Sequence, residues 1–342
     1  MKTVIVYGER GMYAGWPANH GSWQWGDEFL VGFMRGRYGD ENSYHNICEP
    51  YQKMLARSLD GGETWVIETP NVDFEAEVVS PSPPFDLGNS IIRVCGYYDT
   101  GGERCCSEGG FYLSRDRGHT WAGAYAFTGA DELFESPMRG TSRTCVLGNL
   151  VFVSTMKDGE WATDKSYCLI HDGVRFHLRG VICSDEFRAV MPSVALVEGR
   201  IVATLRRRGN QSCWIDAFGS DDDGKTWSLL SKVWSERRHN GNPPALAAIK
   251  DKLYCAFGHR QTKSICLRES RDGGKTWSGA LVVNRGDTSD VGYPRLFVRS
   301  DGSLVCVYYC SVNGEEQSIR ATIMSADDLS VLKSFPGAKV TT

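Results

Sequence analysis

The form S-x-D-x-G-x-T-W occurs four times in the chain, as SLDGGETW at 58–65, SRDRGHTW at 114–121, SDDDGKTW at 220–227 and SRDGGKTW at 270–277. A motif that returns at a fixed interval means that one supersecondary unit is repeated, which excludes most other folds at once. The central acids Asp60, Asp116, Asp222 and Asp272 are spaced by 56, 106 and 50 residues, and the middle gap is about twice the others. A degenerate copy belongs inside that gap, and IHDGVRFH supplies one at Asp172; IMSADDLS offers a candidate last copy at Asp327. The count is then six units. One copy, with Gly219 before it, reads GSDDDGKT and satisfies the phosphate-loop pattern G-x-x-x-x-G-K-[ST]. Such a loop surrounds an anion with backbone N–H groups and one Lys, and Asp221, Asp222 and Asp223 would repel that anion. The repeat explains the same Gly and Lys as turn positions.

Each unit carries a second mark upstream, a proline ahead of a strand-turn-strand pattern, as in MPSVALVEGRIVATLRRR, PPALAAIKDKLYCAFGHR and YPRLFVRSDGSLVCVYY. Short alternating apolar runs split by EGR, KDK or SDG turns read as β-hairpins. Six four-stranded units predict an all-β, six-bladed β-propeller as one domain over residues 1–342; an open β-solenoid is the alternative, but its repeats are usually shorter. If strands A to D of a blade run up and down, the A–B and C–D turns share one face, and the B–C loops and D–A crossovers share the other. The Asp motifs then sit in C–D turns, where the carboxylate accepts backbone N–H bonds, Gly takes positive φ and Trp packs between blades. A pocket belongs on the opposite face, lined by residues just before each proline and by the ends of B strands.

Composition narrows the function. A formal charge of −4 argues against nucleic-acid binding through a bulk positive field. No run of about 20 apolar residues is present to span a membrane, and the first residues lack the apolar core of a secretion signal. Cytoplasm is the expected location, or secretion if an export segment precedes the first residue. Most of the twelve cysteines lie singly in apolar runs such as VCVYY and LYCAF and read as reduced, buried hydrophobes. Cys105 and Cys106 form a vicinal pair in a Gly-rich loop, for which an inert role is the expectation. No C-x-x-C pair or other ligand spacing calls for a metal, and no cofactor is expected.

The residues that topology sends to the functional face are Trp16, Asn19 and His20 from blade one, Glu135 and Arg139 from blade three, and Met191 from blade four. Blade five adds Asn240 and Asn242, and blade six Tyr293 and Arg295. B-strand ends contribute Arg35, Arg37, Asp99, Arg206 to Arg208, His259 and Arg260; the loop RGRYGDENSYHNICEP carries Asp40, Glu41, His45 and Glu49. Clustered Arg with Tyr, His and carboxylates describes a site for an anionic sugar. Each has a plainer reading: Tyr293 and Trp16 as packing, Arg206 and Arg260 as ion pairs between blades, His20 and Glu135 as hydrogen bonds that fix a strand or turn, and the loop residues as exposed surface.

With its Asp-box motifs, six-unit count and order of marks, the whole chain resembles the exo-sialidase (neuraminidase) superfamily. The resemblance implies an Arg triad gripping a substrate carboxylate, a Tyr nucleophile assisted by Glu, and an Asp acid/base. The second triad Arg corresponds to Arg206, the third to Arg260, the Tyr to Tyr293, and the acid to Asp40 or Glu41 in the first-blade loop. Two positions depart from the family. Gly15 in GWP stands where the first Arg of an R-I-P triplet is expected, and Met191 stands where the Glu partner of the Tyr is expected. A Tyr still needs a base, and Met cannot act as one; Glu135, His20 or Glu49 are the substitutes from elsewhere, or the enzyme activates water directly and inverts.

The expected catalytic set is Tyr293, Asp40, Glu135 and His20, and the expected substrate-binding set is Arg206, Arg260, Arg37, Trp16, His45 and Asn242. The leading expectation is a glycoside hydrolase acting on a terminal acidic sugar. A polysaccharide lyase using His20 and Tyr293 with Arg206 neutralising a uronate is the second, and a non-catalytic glycan-binding propeller the third.

Overall fold

The alternating apolar runs form antiparallel strands that group into six small sheets. The computed structural model describes residues 1–39, 45–74, 79–95, 109–134, 138–140, 143–157, 164–237 and 241–334. Blade four is the most regular, with strands Arg188–Val197, Arg200–Arg208, Ser212–Ser220 and Ser228–Arg237 in sequential order. Blade five repeats it with Ala245–Ile249, Lys252–His259, Ser264–Ser270 and Leu281–Arg285. In blades one and three strand A is broken in two, Met12–Gly15 with Ser22–Trp25 and Met138–Gly140 with Cys145–Leu147, and both pieces pair with the same strand B.

Blade two has three regular strands among the described residues, Ile91–Cys95, Gly110–Ser114 and Ala122–Ala126. Its strand A is missing because Pro81, Pro83 and Pro84 crowd the segment that would form it, and each proline removes a ladder N–H.

The sixth blade closes the ring. Its strands Gly292–Val298, Leu304–Cys310 and Ser318–Met324 are completed by the first strand of the chain, Lys2–Tyr7, in register Lys2 opposite Ile323. Inner strands are sandwiched between neighbouring blades, so they are buried on both faces and read as continuous apolar runs; Leu304–Cys310 is buried throughout. That is why cysteine suits them. Cys255, Cys306 and Cys310 are fully buried, burial pushes the Cys255 thiol up to about 12, and all ten described cysteines are free. Cys105 and Cys106 lie outside the described residues.

The Asp motifs occupy C–D turns and repeat one hydrogen-bond set. In the first, the Asp60 carboxylate accepts from the Thr64 N–H at 2.9 Å, the Thr64 hydroxyl at 2.6 Å and the Ser58 hydroxyl at 2.9 Å, while Ser58 Oγ accepts from the Gly62 N–H at 2.8 Å. Asp116, Asp222 and Asp272 repeat it. The motif Trp then packs on the preceding blade: Trp121 lies 5.3 Å from Trp23, and Trp227 lies 6.1 Å from Phe152. At the degenerate copy, Asp172 accepts from the Val174 and Arg175 N–H groups and pairs with His177, which takes the place of the Thr hydroxyl.

The sixth copy is corrected. Ser325 and Asp328 form a capping box at the start of a short helix, Ala326–Ser330, with Asp327 only in its first turn. The reason is topological: the N-terminal strand already fills the strand-D place of blade six, so no C–D turn exists for Asp327 to close.

Candidate active site

On the face opposite the Asp motifs, three residues preceding a proline hold left-handed backbone, Trp16 at φ 56°, Met191 at φ 59° and Tyr293 at φ 50°. Non-Gly residues avoid this region at a cost of about 1–2 kcal/mol each. In blades four and six the pairing register shifts here, between Val190 and Ser193 and between Gly292 and Arg295. The proline lacks an N–H, so strand A loses its ladder at this point and bulges. A side chain from the preceding blade captures the freed N–H. Ser154 Oγ accepts from the Met191 N–H at 3.0 Å, and Asn242 Oδ1 accepts from the Tyr293 N–H at 2.9 Å.

Asn242 is thus a positioning residue for Tyr293. It also donates to the Val291 carbonyl at 3.2 Å, and glycine at 292 is required because a Cβ there would stand 2.1 Å from Asn242 Oδ1.

Around these bends the structure gathers a polar cluster. Arg206, buried at the end of strand B of blade four, directs Nη1 to the Tyr293 hydroxyl at 3.3 Å and to the Met191 sulfur at 3.6 Å. Tyr293 stands edge-on to Tyr309 with ring centroids 6.0 Å apart, and Trp16 packs between Tyr13 at 5.3 Å and His45 at 5.0 Å. The centre of the cluster is Asp290. Its carboxylate accepts hydrogen bonds from the hydroxyls of Tyr13, at 2.7 Å, and Tyr309, pairs with His45 Nδ1 at 2.9 Å and faces Arg260 at 4.0 Å. Burial would raise the Asp290 pKa, but the His45 hydrogen bond and charge, Arg260 and the Tyr309 hydroxyl outweigh it and hold the carboxyl below its usual range. Burial and the Asp290 charge together push the Tyr13 and Tyr309 phenols well above theirs.

Of the expected site residues, Tyr293, Arg206, Arg260, Trp16, His45 and Asn242 come together here. Arg37 is exposed at the end of strand B of blade one, where its Nε donates to the Glu49 carbonyl at 3.4 Å. His20 lies elsewhere: fully buried, it faces Arg93 of blade two through Nδ1 at 2.9 Å, and Arg93 also donates to its carbonyl and stacks 4.0 Å over Phe74. Asp40 and Glu135 lie outside the described residues. Arg139 is in the short strand Met138–Gly140, and Asn240 and Asp99 lie outside the described residues.

Sequence reasoning missed Asp290, Tyr13 and Tyr309. A signal for two of them was present: Asp290 lies three residues before Tyr293 on the D–A crossover, and Tyr13 three before Trp16, so a slightly wider window ahead of each proline finds both. Tyr309 sits in VCVYYC, a run indistinguishable from core. Among the described residues no cluster of His, Cys, Asp and Glu has the arrangement of a metal site, and no helix is long and apolar enough to cross a membrane.

Known proteins share this architecture. The chain matches the BNR repeat-like domain family over residues 96–306, more than half its length, and belongs to that family. Its fold is that of the sialidase-like propellers. A Dyadobacter fermentans protein of unknown function superposes with a TM-score of 0.71 at 18% identity, covering 95% of this chain and 98% of that one. The Hadza microbial sialidase Hz136 superposes with a TM-score of 0.63 at 15% identity over 92% of this chain and 66% of that chain. The α-L-arabinofuranosidase Arb93A of Fusarium graminearum does so with a TM-score of 0.59 at 12% identity, covering 96% and 99%. Hz136 is matched over less than two thirds of its own length. No curated protein sequence matches the chain. At such identities the likeness establishes a fold that glycosidases share, and leaves substrate and residue roles to the site itself.

Proposed function

We propose that this protein is a glycoside hydrolase that removes a terminal acidic sugar, a sialic acid or a related nonulosonic or uronic-acid-linked residue. The observation that carries this reading is the 3.3 Å approach of the Arg206 guanidinium to the Tyr293 hydroxyl. The guanidinium orients the phenolic oxygen and sets it beside the place where a sugar carboxylate would be received, which puts the nucleophile next to the anomeric carbon that bears that carboxylate. Arg206 and Arg260 receive the sugar carboxylate, for which a planar N–H fork is the matching donor. Tyr293 attacks the anomeric carbon as the bond to the departing group breaks, an acid protonates the leaving oxygen, and water then cleaves the Tyr293–sugar bond, which returns the phenol and releases the reducing sugar. That acid is assigned to Asp40 of the first-blade loop. The Tyr293 proton goes to Glu135 of blade three, since Met191 has no basic atom. Asp290 stays ionised, offsets the charge of Arg260 and fixes the hydroxyls of Tyr13 and Tyr309, so its part is positioning.

The lyase reading loses support because His20 faces Arg93 in the wall between blades one and two. The binding-only reading rests on Met191 and Gly15. One experiment separates all three: aryl sialosides and acidic polysaccharides are incubated with wild type and Tyr293→Phe. Wild type should release a reducing sugar, and Tyr293→Phe should lose activity on the order of 10³-fold. Equal turnover by the two proteins removes Tyr293 as nucleophile. An ultraviolet-absorbing unsaturated product identifies a lyase, and binding without product identifies a lectin.

A further inference from the structure

Near the Tyr293 site two arginines are buried in A-strand segments, Arg143 in the break of strand A of blade three and Arg295 in strand A of blade six. Arg143 is fully buried, and Arg295 is 4% exposed. Arg143 donates to the carbonyls of Pro244, in blade five, and Pro294, in blade six, the latter at 3.5 Å. Arg295 donates to the carbonyls of Pro17, at 3.4 Å, and Ala18, both in blade one. The two guanidiniums thus bridge A-strand starts that lie far apart in sequence. Arg143 Nε is buried and makes no hydrogen bond.

Neither guanidinium lies within 4.0 Å of a carboxylate among the described residues. Other buried arginines of this protein do: Arg57 pairs with Glu28 and Glu68, Arg188 with Asp164, and Arg207 with Asp185 and Asp216. Carbonyl oxygens supply dipoles but no net charge, and a buried guanidinium resists deprotonation. Burial and the charge of Arg295 push Arg143 well below its ordinary range, and burial lowers Arg295 to about 10. No carboxylate among the described residues offsets these two positive charges.

There is room for an anion. A cavity of about 250 Å³ runs inward from the A–B turns of blades one, two and three and ends at Arg295. Thr144 and Cys145, next to Arg143, line it, Arg93 adds a second guanidinium, and Trp23, Ile92 and Val94 form an apolar stretch of its wall. One water-sized volume needs only about 10–15 Å³, so size does not exclude a small ion. The apolar stretch of the wall favours a weakly hydrated monovalent anion over a strongly hydrated multivalent one such as phosphate.

We propose that this cavity holds a small monovalent anion against the Arg295 guanidinium, with Arg143 behind its Thr144 and Cys145 wall, reached from the Asp-box face and separate from the candidate active site. The anion offsets part of the positive charge where A strands of blades one, five and six meet, and so stabilises ring closure. Its source is either a halide or the carboxylate of a compact apolar acid; both present one negative charge that fits this cavity.

The test uses the full chain. Melting temperature is measured at constant ionic strength as sodium gluconate, too large and polar for the cavity, is replaced by chloride, bromide or benzoate. A saturable rise of roughly 3–5 °C is expected at anion concentrations well above the dissociation constant. In Arg295→Met that rise should vanish, and in Arg143→Met it should shrink. A second measurement on wild type does not depend on the variants folding: crystals soaked in bromide should show an anomalous peak within about 3.5 Å of the Arg295 guanidinium. A rise with halide alone assigns a halide, and a larger rise with benzoate that displaces bromide assigns an organic acid. A rise that persists in Arg295→Met, or the absence of both an anion-specific rise and the bromide peak, overturns the proposal.

Discussion

The two faces of this propeller solve the same problem, an aspartate held low in pKa by hydrogen bonds, in opposite ways. On one face Asp222 takes its partners from Ser220 and Thr226, none more than four residues away. On the other, Asp290 takes a hydroxyl from Tyr13, 277 residues distant, and a ring nitrogen from His45, 245 residues distant. The local solution is portable, so it recurs in blade after blade and closes a hairpin wherever it falls. The long-range one, two phenols and an imidazole on one carboxylate, occurs once among the described residues. It requires the N-terminal strand to pair into blade six, because Tyr13 follows that strand by six residues. A carboxylate assembled that way reports on ring closure and serves the site; a carboxylate assembled within eight residues serves a turn.

The sharpest way to break this comparison is to neutralise one aspartate on each face. Asp290→Asn should reduce kcat/KM on a cleaved aryl glycoside by about 10²-fold, the scale of a misplaced site, because Asn cannot accept from two phenols and balance Arg260. Asp222→Asn should leave kcat/KM per folded molecule unchanged while lowering the melting temperature. Equal kinetic losses in both variants would mean that the faces are not functionally distinct.

A smaller effect is expected from acid. The N–H and hydroxyl of Thr226 hold the Asp222 carboxyl down at about 2, and Asp60, Asp116 and Asp272 are held low as well. Unfolded aspartate titrates near 3.9. A depressed folded pKa gives stability that is fully present above the unfolded value and lost as pH falls through the folded one. The melting temperature should therefore hold down to about pH 5 and drop by several degrees toward about pH 2. The drop should be shallower in Asp222→Asn. An unchanged slope would assign acid sensitivity to other carboxylates, Asp290 among them.

These same particulars explain what the sequence made legible. The Asp-box turn is encoded in eight consecutive residues, so four intact copies and a spacing revealed six blades and the face each turn occupies. The bends at Trp16, Met191 and Tyr293 were legible for the same reason, since a proline marks each one. Partnerships across the ring were not. Nothing adjacent to His20 announces that Arg93 will approach its ring, and the apolar run around Tyr309 conceals a hydroxyl aimed at Asp290. Asp327 misled for a third reason: a fragment of the motif was present, but the strand that makes the motif a turn comes from the other end of the chain.

The finest test of the difference removes a single hydroxyl on each face. Thr120 donates to Asp116 Oδ2 at 2.6 Å, yet Asp116 keeps the Thr120 N–H at 2.9 Å and the Ser114 hydroxyl at 2.8 Å. Thr120→Val should therefore cost only about 0.5–1 kcal/mol, as expected for one solvent-exposed hydrogen bond in a set that survives its loss. Tyr13→Phe removes the matching hydroxyl from Asp290, leaving Tyr309, His45 and the more distant Arg260. Its ring still packs on Trp16, so the stability cost should again be near 1 kcal/mol. The kinetic consequence should differ: Tyr13→Phe frees one oxygen of a partly buried carboxylate and lets Asp290 move relative to Arg260, so kcat/KM should fall about tenfold, while Thr120→Val leaves it untouched. Denaturant unfolding of both variants beside their kinetics makes the comparison. A Tyr13→Phe protein with full activity would show that Asp290 holds its position without the first blade and has no part in coupling ring closure to the site.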